Sequence, residues 1–189
     1  MMTVKEILIL TAKMLGEKQI VNLLTKQTCD DLQSVSEDKD MLLSCYNATT
    51  EELALEYLPL EFCEEFNGVT DNKIYFSSFS KKPLKIVSVC DLSGNKLPYK
   101  LINDYIYVER KSVKITYEYR PTMQNEEDEA VFSDNVIGPF TLCYGIASLY
   151  CLQKGRHSDA EGFFERYFSA IKSRIAEKRK IISPARSWR

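Results

Sequence analysis

The spacing of apolar residues changes period twice along the chain, and this limits the fold more than any other feature. Over residues 3–57 apolar side chains recur every three or four positions, which is typical of helices with one buried face. Between residues 84 and 119 they alternate with polar ones, as in half-buried strands. Helical spacing returns after residue 138. The sequence therefore predicts an α+β protein: a helical bundle from N- and C-terminal helices with an inserted small antiparallel β-meander.

The first helix has a predicted start and end. Thr3 and Glu6 have the spacing of a capping box, and Gly16 suits the left-handed position that closes a helix. A second short apolar segment follows at residues 20–24. Residues 25–37 are polar and are predicted to form a loop.

Three more helices are predicted. One runs over residues 38–57 and is ended by Pro59. After an acidic linker at residues 121–135, another runs from 138 to 154. The last begins near Ser158, which has capping-box spacing with Glu161.

The strands are predicted at residues 84–89, 105–108 and 113–119, with residues 73–76 as a further edge candidate. Short strands joined by tight turns pair antiparallel, because parallel pairing needs long crossovers. Four segments result: an N-terminal helical part (1–66), the β insertion (67–121), the C-terminal helical part of the same bundle (122–182) and a basic tail (183–189).

Residues that perform catalysis or bind metals form no recognisable motif. The six cysteines include no CxxC pair, and without a secretory signal they are expected to be reduced and buried. His157, the only histidine, is expected to be a solvated loop residue. There is no glycine-rich phosphate loop, and Val136–Leu152 is too short to span a bilayer. We therefore expect no enzyme, metal, cofactor or membrane association.

The aromatic residues of the last helix allow two interpretations. Phe163, Phe164, Tyr167 and Phe168 would suit a ligand pocket or nucleic-acid stacking, but at helical spacing they are expected to lie in the core. Gly145, inside a predicted helix, indicates close helix packing.

Charge is segregated along the chain. Between Asp30 and Glu65 eleven acidic residues accompany one base, Lys39, and between Lys172 and Arg189 seven bases accompany one acid. A subunit with this asymmetry can meet copies of itself head to tail and close into a ring. The alternative, that both runs are merely solvated, stays open.

The basic tail has three interpretations: a segment without fixed structure, a nucleic-acid contact, or a peptide that docks in a groove of a protein partner. Trp188 favours docking, because Trp and Arg are common interface anchors.

The order of the segments resembles that of the head–tail adaptors (neck, connector or tubular tail-A proteins) of tailed bacteriophages. The segments that carry the resemblance are Leu15-Gly16, Cys45-Tyr46 through Leu55, Leu58 to Phe62, Pro83–Val87 through Tyr117–Tyr119, Ile137–Phe140 through Tyr150, and Asp159–Arg174. It covers nearly the whole chain, but it is a resemblance of layout without a decisive motif. The Cys- and Tyr-rich composition departs from it.

This resemblance implies a non-enzymatic virion protein, assembled in the host cytoplasm. Its copies, usually twelve, form a neck ring below the capsid portal and bind a tail or nozzle protein. DNA passes through the lumen without sequence-specific binding. It also implies that the tail binds the portal protein, through Lys180, Pro184, Arg186, Trp188 and Arg189.

Two other function classes remain. The chain could be a basic-tailed nucleic-acid-binding module or a generic protein-interaction module. An enzyme built from dispersed carboxylates and tyrosines ranks last, because the sequence offers no recognisable nucleophile.

Overall fold

The computed structural model describes residues 2–132 and 137–181, with side chains as far as residue 176. Within these ranges the chain forms helices and two small antiparallel sheets, so the predicted α+β class is confirmed. The chain divides into two compact units. The helical unit contains residues up to Glu52 and from Met123 onward, and the sheet unit is Leu53–Thr122.

The helical unit is arranged around an apolar helix. Its described helices are α1 (Val4–Leu15), α2 (Lys18–Leu24), α3 (Leu32–Glu52), α4 (Pro139–Gln153) and α5 (His157–Ile181). Because α4 packs against α1, α3 and α5, it is buried on most sides and is apolar nearly all round. Its buried hydrophobic residues are Leu142, Cys143, Ile146, Ala147, Tyr150 and Cys151.

Both predicted ends of α1 are confirmed. The Glu6 amide donates to Thr3 Oγ1 (3.3 Å), and the Glu6 carboxylate accepts from the Thr3 amide (2.9 Å). Gly16 has φ of 79° and closes the helix.

Helix α3 begins earlier than predicted, so the loop predicted over residues 25–37 is wrong in its second half. The first turns of α3 bury only Val35, so these residues show no helical spacing of apolar side chains. The Asp31 carboxylate accepts from the Ser34 amide (3.4 Å) at the start of the helix. At its other end the chain continues through a π-helical turn, Leu53–Tyr57. The helical run therefore ends just before Pro59, as predicted.

Part of the predicted acidic linker is fixed to α3 by Gln124. Its main chain exchanges two hydrogen bonds with the Asn47 side chain (2.8 and 3.1 Å). Its side-chain oxygen accepts from the Tyr46 hydroxyl (2.7 Å) and the Val131 amide (3.3 Å), while its nitrogen donates to the Glu129 carbonyl. The segment is thus a packed part of the helical unit.

The sheet unit contains two three-stranded sheets. Its strands are β1 (Leu60–Asn67), β2 (Lys73–Tyr75), β3 (Pro83–Cys90), β4 (Lys100–Ile102), β5 (Tyr105–Tyr107) and β6 (Ser112–Tyr119). The first sheet has the order β1-β6-β3, and the second has the order β2-β5-β4. The pairing is antiparallel throughout, but the order is not that of the predicted meander, because β6 returns to pair with β1 and β3.

Strand β1 was not predicted, and all of it except Asn67 lies in the range 1–66 that the sequence predicts to be helical. Leu60, Phe62 and Phe66 do alternate as a strand requires. Glu64, however, occupies an inward position among them and breaks the apolar alternation. Its carboxylate is accommodated there because it accepts from the Tyr117 hydroxyl (2.9 Å) and from Ser80 Oγ (2.8 Å).

One core joins the two sheets. Its buried members are Ile74, Phe79, Ile86, Val89, Ile106, Val108, Val113, Ile115 and Tyr117. Ile74 and Ile106 come from the second sheet, and β6, predicted as the clearest half-buried strand, contributes three. Each sheet thus has one face on this core and an opposite face away from it.

Candidate interaction surfaces

The predicted portal-binding residues fall at the limit of the described chain. Lys180 belongs to α5, but its side chain lies outside the described residues. Pro184, Arg186, Trp188 and Arg189 lie outside them altogether.

His157 is exposed, as predicted, but it is the first residue of α5 rather than part of a loop. The helix therefore begins before the predicted Ser158. Asp159, two residues further along α5, accepts from Arg156 Nε at 2.9 Å. Arg156 also lies 3.4 Å from a Glu17 carboxylate oxygen, so these groups tie the start of α5 to the start of α2.

Three of the six cysteines are buried in the helical unit, and all six are free thiols. Burial raises the pKa of Cys45 to about 11. It also raises the pKa of Cys143 and of Cys151. At neutral pH these thiols are protonated, and they act as small apolar side chains in the core. The expectation of buried cysteines does not extend to Cys63, which is exposed on β1.

Within residues 2–132 and 137–181, no three or more His, Cys, Asp or Glu residues are placed to hold a metal ion. No helix in the same ranges is long and apolar enough to cross a membrane.

Several residues of the acidic run form pairs inside their own unit. Asp38 pairs with Lys154. Lys39 lies between Asp40 (3.3 Å) and Glu126 (2.5 Å), and its pKa is raised mainly by the hydrogen bond to Glu126. These pairs leave fewer acidic groups for a head-to-tail contact than the sequence count suggests.

The aromatic residues of α5 are distributed over more than the core, which corrects the sequence prediction. Tyr167 is buried, whereas Phe164 is 49% exposed. Phe164 and Phe168 stack with ring centres 5.9 Å apart, and Lys172 Nζ lies 4.3 Å from the centre of the Phe168 ring. We call Phe164, Phe168 and Lys172 the α5 face.

A second aromatic group lies between α4 and α5. Tyr144 stacks on Phe163 with ring centres 6.5 Å apart, and the Arg166 guanidinium lies 5.9 Å from the Tyr144 ring centre. Phe140, one turn before Tyr144 on α4, is exposed. Both groups place a cation beside aromatic rings, a combination common in interfaces.

The sheet unit carries a third surface, on the side of the second sheet away from the core. Strand register places Lys73 and Lys100 opposite Tyr107, and Tyr75 and Ile102 opposite Tyr105. Residues two apart on a strand share a face, so these six side chains form one two-by-three array. We call it the tyrosine face: Lys73, Tyr75, Lys100, Ile102, Tyr105 and Tyr107.

Sequence reasoning did not identify the tyrosine face. Its signal was the alternation Lys73-Ile-Tyr75 and Tyr105-Ile-Tyr107, in which a buried isoleucine separates two outward residues. Which strands pair, and in what register, was not visible in the sequence, and that pairing brings the residues together.

No protein-family model matches the chain, and no curated protein matches it in sequence.

Proposed function

We propose that the chain is the structural subunit of a phage neck ring that joins the capsid portal to the tail. Copies of the subunit, twelve in the usual arrangement, surround the channel through which DNA leaves the capsid. The helical unit supplies the ring wall, and the sheet unit contacts neighbouring copies or a tail or nozzle protein. The role is structural and requires no catalytic group.

The observation that supports this proposal is the α5 face, which precedes the basic tail in the sequence. Phe164 holds about half of its surface in solvent, and the neighbouring Phe168 and Lys172 extend the same stripe. Exposed aromatic rings are frequent anchors of protein interfaces. The segment Lys180–Arg189 continues from this helix and adds Trp188 and two arginines.

A tail of this kind gains affinity from repetition. A short peptide that becomes ordered on binding has a modest affinity for each site. In a ring, many copies bind together, and the effective concentration of each remaining tail is high. Weak contacts at Pro184, Arg186, Trp188 and Arg189 would therefore suffice to hold a complete ring on the portal.

The test is negative-stain electron microscopy of the purified protein, alone and mixed with a portal ring from the same genome. We expect the protein to add a collar to the portal. Deletion of residues 183–189 should abolish the collar while circular dichroism remains unchanged. Phe164→Ala should weaken it, whereas Leu152→Ala, which also alters an exposed apolar side chain, should leave it intact.

Portal rings that stay bare under several salt conditions would count against this role. If the protein instead binds duplex DNA with a steep salt dependence and never adds a collar, the nucleic-acid-binding alternative replaces it.

A further inference from the structure

We infer that the tyrosine face binds single-stranded nucleic acid. Bases stack on the rings of Tyr75, Tyr105 and Tyr107, and backbone phosphates are held by Lys73 and Lys100. This inference rests on the face itself and does not depend on a role in a neck ring.

The three tyrosine rings lie on one face of the second sheet. Tyr75 and Tyr105 are directly opposite on neighbouring strands, with ring centres 5.7 Å apart and ring planes tilted by 57°. Tyr107 follows on the same side of β5, and Tyr75 is 49% exposed. On the opposite side Ile74 and Ile106 are buried in the core, at 3% and 0% exposure. The strands are thereby fixed, so little ordering entropy is lost when a base stacks on a ring.

The charges of the face suit a phosphate backbone. Lys73 and Lys100 lie on the two edge strands, on either side of Tyr107. None of the six residues of the face is acidic, and the nearby Glu109 lines a pocket with Lys100 and Tyr107. Lys73 Nζ also lies over the Tyr105 ring, 5.1 Å from its centre, so the cation and the ring belong to one surface. Across three strands the two edges are about 10 Å apart, so one extended strand can contact both lysines.

Composition distinguishes this occupant from a protein partner. The centre of a protein interface is depleted in lysine, whereas this array has two lysines and one aliphatic residue, Ile102. A duplex would offer phosphates but keep its bases stacked and paired, out of reach of the rings. Aromatic rings between basic residues are typical of surfaces that bind single strands.

The experiment measures fluorescence anisotropy of the full chain with a labelled oligothymidine of about 12 nucleotides. A hairpin duplex serves as the comparison. We expect the single strand to bind more tightly than the duplex. Each contacted phosphate contributes about −0.7 to the slope of log K against log salt, so two lysines predict a slope of about −1.4.

Variants separate stacking from charge. Tyr105→Ala should weaken binding about tenfold or more without changing the salt slope, while Tyr105→Phe retains the ring and should bind like the wild type. Lys73→Ala with Lys100→Ala should flatten the salt slope. The matched control is Lys85→Ala with Lys114→Ala, two lysines of the first sheet that pair with Glu118 (3.3 Å) and Glu65 (3.7 Å). It should leave the affinity unchanged.

The inference is overturned by any of three results. These are no measurable binding of the single strand, equal affinity for the duplex, or a Tyr105→Ala variant that is folded by circular dichroism and binds like the wild type. If Tyr105→Ala alters sedimentation and the wild type binds no oligonucleotide, the face is a contact between copies instead.

Discussion

Gly145 lies in α4, where this helix approaches α3 and α5. A Cβ at this position would lie 2.6 Å from Thr49 Cγ2 and 2.8 Å from Tyr167 Cε2. Both neighbours are buried, so neither can move into solvent. The close helix packing that the sequence indicated at this glycine is therefore confirmed.

The added methyl group overpacks this contact at a cost of about 1–3 kcal/mol. Since alanine gains roughly 1 kcal/mol over glycine in a helix interior, we expect Gly145→Ala to lower the free energy of unfolding by up to about 2 kcal/mol. Urea denaturation followed by circular dichroism at 222 nm measures the change.

Gly162→Ala is the matched control. Gly162 is exposed on α5, and a Cβ there would meet no atom within 4 Å. This substitution should raise stability by about 0.5–1 kcal/mol, because only helix propensity acts. Equal effects of the two substitutions would contradict the packing argument.

The Cys45 thiol is expected to make the free energy of unfolding fall as the pH becomes alkaline. Burial, followed by nearby Cys151, raises its pKa from 9.0 to about 11. Between these values the folded state holds a proton that the unfolded state has released, so stability is full below pH 9 and falls as pH rises towards 11. Two pKa units correspond to about 2.7 kcal/mol, of which about 2 kcal/mol is lost by pH 11.

Cys45→Ala should therefore be less stable than the wild type at pH 7, through lost contacts, yet lose about 2 kcal/mol less between pH 7 and 11. Urea denaturation at several pH values, with a reductant present, gives both quantities. Tyr46 and Tyr150, whose pKa values burial also raises, keep some alkaline slope in both proteins. If the free energy of unfolding falls equally with pH in the two proteins, the Cys45 thiol does not titrate in this way.

At the scale of the elements, the hydrogen bonds of Gln124 fix the linker against α3. Gln124→Ala removes the acceptor of the buried Tyr46 hydroxyl and two bonds within the linker. An unsatisfied buried hydroxyl costs about 1–3 kcal/mol, so we expect the free energy of unfolding to fall by about 2 kcal/mol. Amide hydrogen exchange should accelerate over residues 124–131.

Asn125→Ala provides the comparison. Asn125 is exposed, and its bond to Asp128 (2.7 Å) comes from the main-chain amide, which alanine retains. Its effect should stay within about 0.5 kcal/mol. A loss of stability as large as that of Gln124→Ala would mean that the hydrogen bonds of the Gln124 side chain do not account for the effect.

The elements found from the sequence are those whose signal is local. The first helix has a capping box and a closing glycine within its own residues, and β6 alternates without interruption, so both were predicted correctly. Strand β1 was missed because Glu64 takes an inward position that only its bond to Tyr117, far along the chain, makes acceptable. Strand order was missed for the same reason, since pairing of β1 with β6 is not encoded in either strand alone.

The surfaces were less predictable than the elements. Phe164 has the spacing of a core residue. Helix α5 packs mainly against α4, however, and the face that this contact buries does not include Phe164. The tyrosine face depends on strand register, which the sequence did not reveal. The predicted tail residues Pro184 to Arg189 lie outside the described chain, so their role stays a prediction.

For the whole molecule, the division into two units has a direct consequence for folding. The sheet unit has a core built from its own residues. The chain segments before and after the sheet unit in sequence together form one helical unit. The ends of the helical unit's two segments are linked through Gln124 and Asn47 (2.8 Å), near the point where the sheet unit is inserted. The core of the sheet unit, as described, consists only of residues of that unit.

Because the chain divides into two compact units at these positions, we expect the helical unit to fold when residues 53–122 are replaced by a short glycine–serine linker. The Gln124–Asn47 bonds hold the two segment ends close together, so a short linker can join them. The entropic cost of closing such a loop grows only slowly with linker length. The variant should retain helical circular dichroism and a cooperative urea transition. A version that also carries Gln124→Ala should be less stable by about 2 kcal/mol, the same loss as in the full chain. A molten, non-cooperative transition in the first variant would show that the helical core depends on the sheet unit, and that the insertion is part of one folding unit rather than an addition to it.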